Sequence, residues 1–194
     1  NFDTYPKGWS LLGNSKEITI KEIKDKNPEI KYIYQYRQNS WYKNDNDIIN
    51  SGDGYWIYKK EPDFNQSINI GWNLLSLPVN KVTSIEKYQN ADLIYTFENG
   101  EYIKNPAILK PYIGFWLQSN VNQTIGFYGT NYELNSSLIK SGWNLLGGKI
   151  SSIKDLKSND DRIEKVYIFQ NGNYISDDLF EKVDAGVGIW IFAN

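Results

Sequence analysis

The sequence predicts a mainly β fold: β-rich, with one short helix per unit, built from three internal repeats packed together. Three observations predict it. A Gly-Trp motif occurs three times, as Gly8-Trp9-Ser10-Leu11-Leu12-Gly13, Gly71-Trp72-Asn73-Leu74-Leu75 and Gly142-Trp143-Asn144-Leu145-Leu146-Gly147. A second motif closes each copy: Gly54-Tyr55-Trp56-Ile57, Gly114-Phe115-Trp116-Leu117 and Gly188-Ile189-Trp190-Ile191. Between them a hairpin signal keeps one offset, Tyr36 to Trp41, Phe97 to Tyr102 and Phe169 to Tyr174. Such repetition marks one supersecondary unit copied and stacked, or wrapped about an axis. The copies divide the chain into residues 1–64, 65–131 and 132–194, read as one compact body. A pseudo-threefold, trefoil-like closed barrel and a linear stack of small sheets both satisfy the pattern.

The middle copy shows the elements in order. Ile68 to Leu77 reads as a strand, which Pro78 ends because proline cannot donate to a ladder. Thr83-Ser84-Ile85-Glu86-Lys87-Tyr88 offers a cap and apolar residues three apart, enough for one or two helical turns. Leu93 to Glu98 reads as a strand. Asn99-Gly100 is a type I′ hairpin signal, since both central residues of that turn need positive φ. Glu101 to Lys104 returns as the partner strand, and Gly114 to Gln118 closes the unit. In the third copy Ser151 or Ser152 caps a helix through Ile153 and Leu156, and Asn171-Gly172 turns the hairpin. In the first copy the turn falls at Gln38-Asn39-Ser40. The junction between the second and third copies carries an extra strand-like stretch, Gln123 to Gly129, followed by Leu134 to Ile139.

Composition excludes several classes of function. The chain has 194 residues, 40% hydrophobic, 23% charged and 15% aromatic, with a net charge of −2. That is a globular balance without a basic stripe, so no nucleic-acid partner is expected. No apolar run approaches the roughly 18 residues of a membrane span, so no membrane insertion is expected. Cys, His and Met are absent. Without them there is no disulfide framework, no zinc-thiolate site, no cysteine nucleophile and no imidazole base. Neither cofactor nor metal is called for. Asp45, Asp47 and Asp53 resemble an oxygen-rich calcium loop, but the closing Glu is missing and the other copies lack these acids.

The repeated tryptophans Trp9, Trp56, Trp72, Trp116, Trp143 and Trp190 lie beside Leu or Ile in strands, so period-2 burial predicts core positions. On that reading Trp72→Ala costs about 3–5 kcal/mol. The alternative is that they stack on sugar rings. Residues recurring in every copy serve the shared fold, whereas a site belongs where the copies diverge. Trp41 and Tyr42, beside a turn among polar neighbours, suit a ligand surface with an apolar face and a polar rim. Tyr102 and Tyr174 take the place of Trp41 in the other copies, and Phe127 and Tyr128 lie in the extra stretch. These six are the candidate ligand-binding residues.

The order Gly-Trp-Asn-Leu-Leu, a hairpin with Asn-Gly, then Gly-Phe/Tyr-Trp-hydrophobic resembles the "GWNL…GYW" tandem repeat modules of exported bacterial surface and secreted proteins. The resemblance covers about residues 8–60, 71–120 and 142–194. Ser10 departs from the Asn of the motif, and Ile189 from its aromatic. The resemblance implies a non-catalytic accessory module, extracellular or at the bacterial cell surface, within a larger protein. The expected function is therefore binding or adhesion to a glycan or peptide. The alternative is a structural spacer with no ligand. A carboxylate-dependent glycosidase is the remaining, least supported reading.

Overall fold

The computed structural model describes residues 5–194. The chain is β-rich, with two short α-helices, Ile20–Lys26 and Ile153–Asn159. It divides into two compact units, one ending at Pro62 and the other spanning Asp63–Asn194. No described helix is long and apolar enough to cross a membrane.

The first unit holds one four-stranded antiparallel sheet, in the order Gly8–Gly13, Gly54–Lys59, Ile30–Arg37, Ser40–Tyr42. Its helix starts at Thr19, whose hydroxyl accepts the N–H of Glu22 while the Glu22 carboxylate accepts the N–H of Thr19. This reciprocal cap satisfies two donors left over at a helix start. The helix turns Ile20 and Ile23 into a core with Leu12, Ile33, Ile49, Tyr55 and Ile57.

The second unit holds two more four-stranded sheets with the same strand order. The second sheet runs Gly71–Ser76, Gly114–Ser119, Ala91–Glu98, Glu101–Lys104; the third runs Gly142–Gly147, Gly188–Ala193, Ile163–Gln170, Asn173–Ser176. The hairpin pairs lie opposite one another in all three sheets: Tyr36 and Trp41, Phe97 and Tyr102, Phe169 and Tyr174. The turns explain this shared register. Gln38-Asn39, Asn99-Gly100 and Asn171-Gly172 all have positive φ at both residues, as type I′ geometry demands. Each hairpin folds back onto the closing strand of its own sheet, so the described strands form separate hydrogen-bonded sheets. The stretch Gln123–Phe127 pairs with Phe64–Ile68 as a two-stranded ribbon. That ribbon delivers Ile68, Ile125 and Phe127 to the core of the second sheet.

The Gly-Trp-Asn motif has a local cause. Gly71 and Gly142 sit at φ +94° and +89°, where a side chain would be strained. Asn73 is 8% exposed and stitches the approach to the strand: its Oδ1 accepts the N–H of Asn69, and its Nδ2 donates to the carbonyls of Asn69 and Gly71. Asn144 does the same with Lys140 and Gly142. The tryptophans correct the core expectation. Trp9, Trp56, Trp72 and Trp143 are 43–50% exposed, Trp116 is half-buried, and Trp190 alone is buried. Strand alternation turns Tyr55, Ile57, Phe115, Leu117, Ile189 and Ile191 inward and the neighbouring tryptophans to the opposite face.

The second and third sheets are joined by a pseudo-twofold contact. The Ser76 N–H donates to the Gly186 carbonyl, and the Gly147 N–H to the Tyr112 carbonyl, both at 2.9 Å. Bridges pair Leu75 with Val187 and Ile113 with Leu146. The backbones approach so closely that a Cβ on Gly114 would lie 2.6 Å from the Leu146 oxygen, and one on Gly188 2.5 Å from the Leu75 oxygen. Leu74, Leu145 and Trp190 fill the seam. Buried Gln66 ties its rim: Nε2 donates to the carbonyls of Ser76 and Gly186, and Oε1 accepts from the Tyr88 hydroxyl, all at 2.8 Å.

Candidate functional site

The outward faces of the second and third sheets meet along this seam and form two clefts. One, of about 500 Å³, is lined by Phe97, Tyr102, Trp143, Tyr167, Tyr174 and Trp190. The other, of about 490 Å³, is lined by Trp72, Tyr95, Tyr102, Trp116, Phe169 and Tyr174. The two linings are equivalent position by position, with Trp143 for Trp72, Tyr167 for Tyr95, Trp190 for Trp116 and Phe97 for Phe169. Tyr102 and Tyr174 belong to both.

Ring packing builds the walls. Phe97 meets Trp190 at 5.1 Å and 65°, and Phe169 meets Trp116 at 4.9 Å and 76°. Trp72 stands edge-on to Trp116 at 6.1 Å, as Trp143 does to Trp190 at 6.0 Å. Edge-to-face pairs of this kind are attractive beyond the area they bury, which holds the exposed rings in place. Burial pushes the phenols of Tyr102 and Tyr174 up from their usual range, so at neutral pH both hydroxyls remain protonated donors. The clefts thus offer flat apolar faces with hydroxyl rims and no carboxylate. That chemistry suits stacking and hydrogen bonding.

Neither protein-family models, nor curated proteins, nor solved structures give a match to this chain.

Of the residues singled out in the sequence, Tyr102 and Tyr174 lie at the centre of this site, each 57% exposed. Trp41, 59% exposed, lines a separate cleft of about 650 Å³ on the first sheet with Trp9, Tyr34, Lys43 and Trp56. Tyr42 is half-buried, and its ring lies 4.2 Å from the Arg37 guanidinium carbon. Phe127 corrects the expectation: it is 2% exposed, in the core of the second sheet, because the ribbon it belongs to packs inward. Tyr128 is half-buried and does not line the clefts. The acids of the first copy have separate partners. Asp45 pairs with Lys24 at 2.8 Å, Asp47 accepts the N–H groups of Lys43 and Asn44, and Asp53 accepts from Gln35. Among the described residues no group of three or more acidic side chains is placed to hold a metal ion.

Trp72, Trp116, Trp143 and Trp190 were read as core, with sugar stacking as the alternative; the cleft residues that sequence reasoning missed are Tyr95, Phe97, Tyr167 and Phe169. Their signal was present. In Ile94-Tyr95-Thr96-Phe97 and Val166-Tyr167-Ile168-Phe169 every second residue is aromatic, and a strand puts such residues on one face.

Proposed function

We propose that this chain is a non-catalytic binding module whose two aromatic clefts take a glycan. The observation that supports it is the pair of equivalent clefts, each lined by six aromatic side chains and no charged one. Sugar rings present apolar C–H faces edged by hydroxyls, and the clefts present ring faces edged by the Tyr102 and Tyr174 hydroxyls. A peptide with apolar side chains is the second ligand class for such a surface. The three sheets, with their shared strand order and turn geometry, are read as three copies of one repeat unit. With the sequence resemblance, this favours an adhesive module of an exported bacterial protein, acting outside the cell or at its surface as part of a longer chain.

The reading is tested by glycan-array screening followed by calorimetric titration of the best binder. Two sites per chain are expected. Trp72→Ala removes one and Trp143→Ala the other, each ring contributing about 1–3 kcal/mol by analogy with base stacking on aromatic rings. Unchanged binding in the double variant shifts the site away from the clefts. An empty array with binding of an apolar peptide selects the second ligand class, and no binding by either leaves the structural-spacer reading.

A further inference from the structure

The surface through which the second and third sheets hold each other is present a third time, on the first sheet. Ladder register makes the positions equivalent: Leu11 lies opposite Trp56, as Leu74 lies opposite Trp116 and Leu145 opposite Trp190. In the joined sheets Leu74 and Leu145 are 2% and 1% exposed, whereas Leu11 is 60% exposed. Trp190 is 7% exposed and Trp56 43%. Tyr36 takes the position of Phe97 and Phe169, which are half-buried, and is 57% exposed. An exposed leucine flanked by open aromatic rings leaves apolar area in water that burial would stabilise.

The glycines provide a second, independent observation. Gly114 and Gly188 are required by the close approach of the neighbouring sheet. On the first sheet the equivalent residue is again glycine, Gly54, opposite Gly13. A Cβ on Gly54 would meet nothing nearer than 3.7 Å, and one on Gly13 nothing within 4 Å; neither residue has a positive φ. The fold of the first unit therefore makes no demand for glycine at either position. A docked sheet makes that demand at Gly54, whose equivalents Gly114 and Gly188 lie against backbone, whereas the equivalent of Gly13 is serine, Ser76, in the second sheet.

We propose that this face of the first sheet binds the first sheet of a second copy of the chain, in the pseudo-twofold arrangement that the second and third sheets adopt within one chain. A twofold interface uses the same patch on both partners, so one such surface per chain suffices. Asp53 stands where the joined sheets have Ile113 and Val187. Its carboxylate lies 3.6 Å from the Arg37 guanidinium and accepts the Gln35 amide at 2.8 Å, so the pairing does not bring two bare charges together. The inference stands apart from the glycan reading, because it rests on the seam and not on the clefts.

The test is the oligomeric state of the full chain by sedimentation over a concentration series. The unaltered chain is expected to be in monomer–dimer equilibrium. Gly54→Val and Leu11→Asp are each expected to raise the dissociation constant about 100-fold, as loss of a central contact does. Leu179→Asp, which removes an apolar residue 76% exposed outside the seam, is expected to leave it unchanged. Leu11 is exposed and Gly54 has room for a side chain, so both variants should keep the thermal transitions of the parent; if Gly54→Val does not, Leu11→Asp carries the test alone. A chain monomeric at every concentration overturns the proposal. So does a dimer that survives both seam substitutions, or one lost equally with Leu179→Asp.

Discussion

Asp177 and Asn105 occupy equivalent places in the third and second sheets and perform one task with different chemistry. The Asn105 side-chain oxygen accepts the Ile94 N–H at 2.9 Å, and the Asp177 carboxylate accepts the Val166 N–H at 3.0 Å. Asp177 also pairs with Lys157. Burial alone pushes its carboxyl up, but the hydrogen bonds from Lys157 and the Val166 N–H, with the Lys157 charge, outweigh it and hold the group below the usual carboxylate range. A depressed folded value means stabilisation that is full above the unfolded pKa, near 4, and is lost as pH falls through the folded value. Asp177→Asn keeps the backbone acceptor, as Asn105 shows, and removes the titration. It should cost about 1 kcal/mol at neutral pH, and its melting temperature should approach that of the parent as pH falls below 4. A parallel offset at all pH values would mean that the carboxylate plays no such part. The tryptophans give a second prediction at this scale. Phe115, fully buried, should cost about 3–5 kcal/mol as Phe115→Ala. Trp72→Ala, at a position 43% exposed on the outer face, should cost only about 1–2 kcal/mol in denaturant unfolding. The larger cost expected from the sequence fails because Trp72 faces away from the core.

Among the elements, the hairpins were the most legible in the sequence. Asn-Gly specifies its backbone locally, so Asn99-Gly100 and Asn171-Gly172 could be read without any tertiary contact. The first turn was less clear, because Gln38 at φ +49° and Asn39 at φ +59° adopt the same geometry without glycine. Left-handed conformations cost non-glycine residues about 1–2 kcal/mol, less for Asn. Asn39→Gly should therefore raise the stability of the first unit by about 0.5–1 kcal/mol, visible as a shift of its thermal transition; a loss would mean that the Asn39 side chain contributes more than its backbone costs. The helix starts of the second and third copies, at Ser84 and Ser152, were legible for the same local reason; the first, at Thr19, was not read from the sequence, and Thr19→Ala should cost about 1 kcal/mol through its capping box. The candidate site was legible only in part. Tyr102 and Tyr174 were found because the hairpin offset marks them. The walls around them were not, because strands such as Leu74-Leu75 and Ile189-Trp190-Ile191 are apolar at consecutive positions, and alternation cannot then say which face is core. The ribbon misled in the opposite direction: divergence between copies suggested a surface at Phe127, and the divergent segment supplies core.

For the whole molecule, the seam between the second and third sheets depends on glycine. Gly188→Ala places a methyl 2.5 Å from the Leu75 oxygen and 2.8 Å from its nitrogen, both backbone atoms that cannot swing aside. It should destabilise residues 63–194 by about 1–3 kcal/mol, as overpacking does. With two compact units, calorimetry should show that penalty in one transition and leave the transition of residues 1–62 in place. A uniform shift of a single transition would mean that the chain unfolds as one cooperative block. The shared walls of the two clefts carry a consequence for valency. Tyr102 and Tyr174 face both, so a ligand that turns either ring in one cleft redraws the other. On the proposed binding reading, occupancy of one would change affinity in its twin, and linkage requires the effect to be equal in both directions. If the clefts bind as proposed, the pair should respond as a coupled two-site receptor, with a saturation curve that departs from that of independent sites, and shortening both tyrosines to alanine should uncouple them.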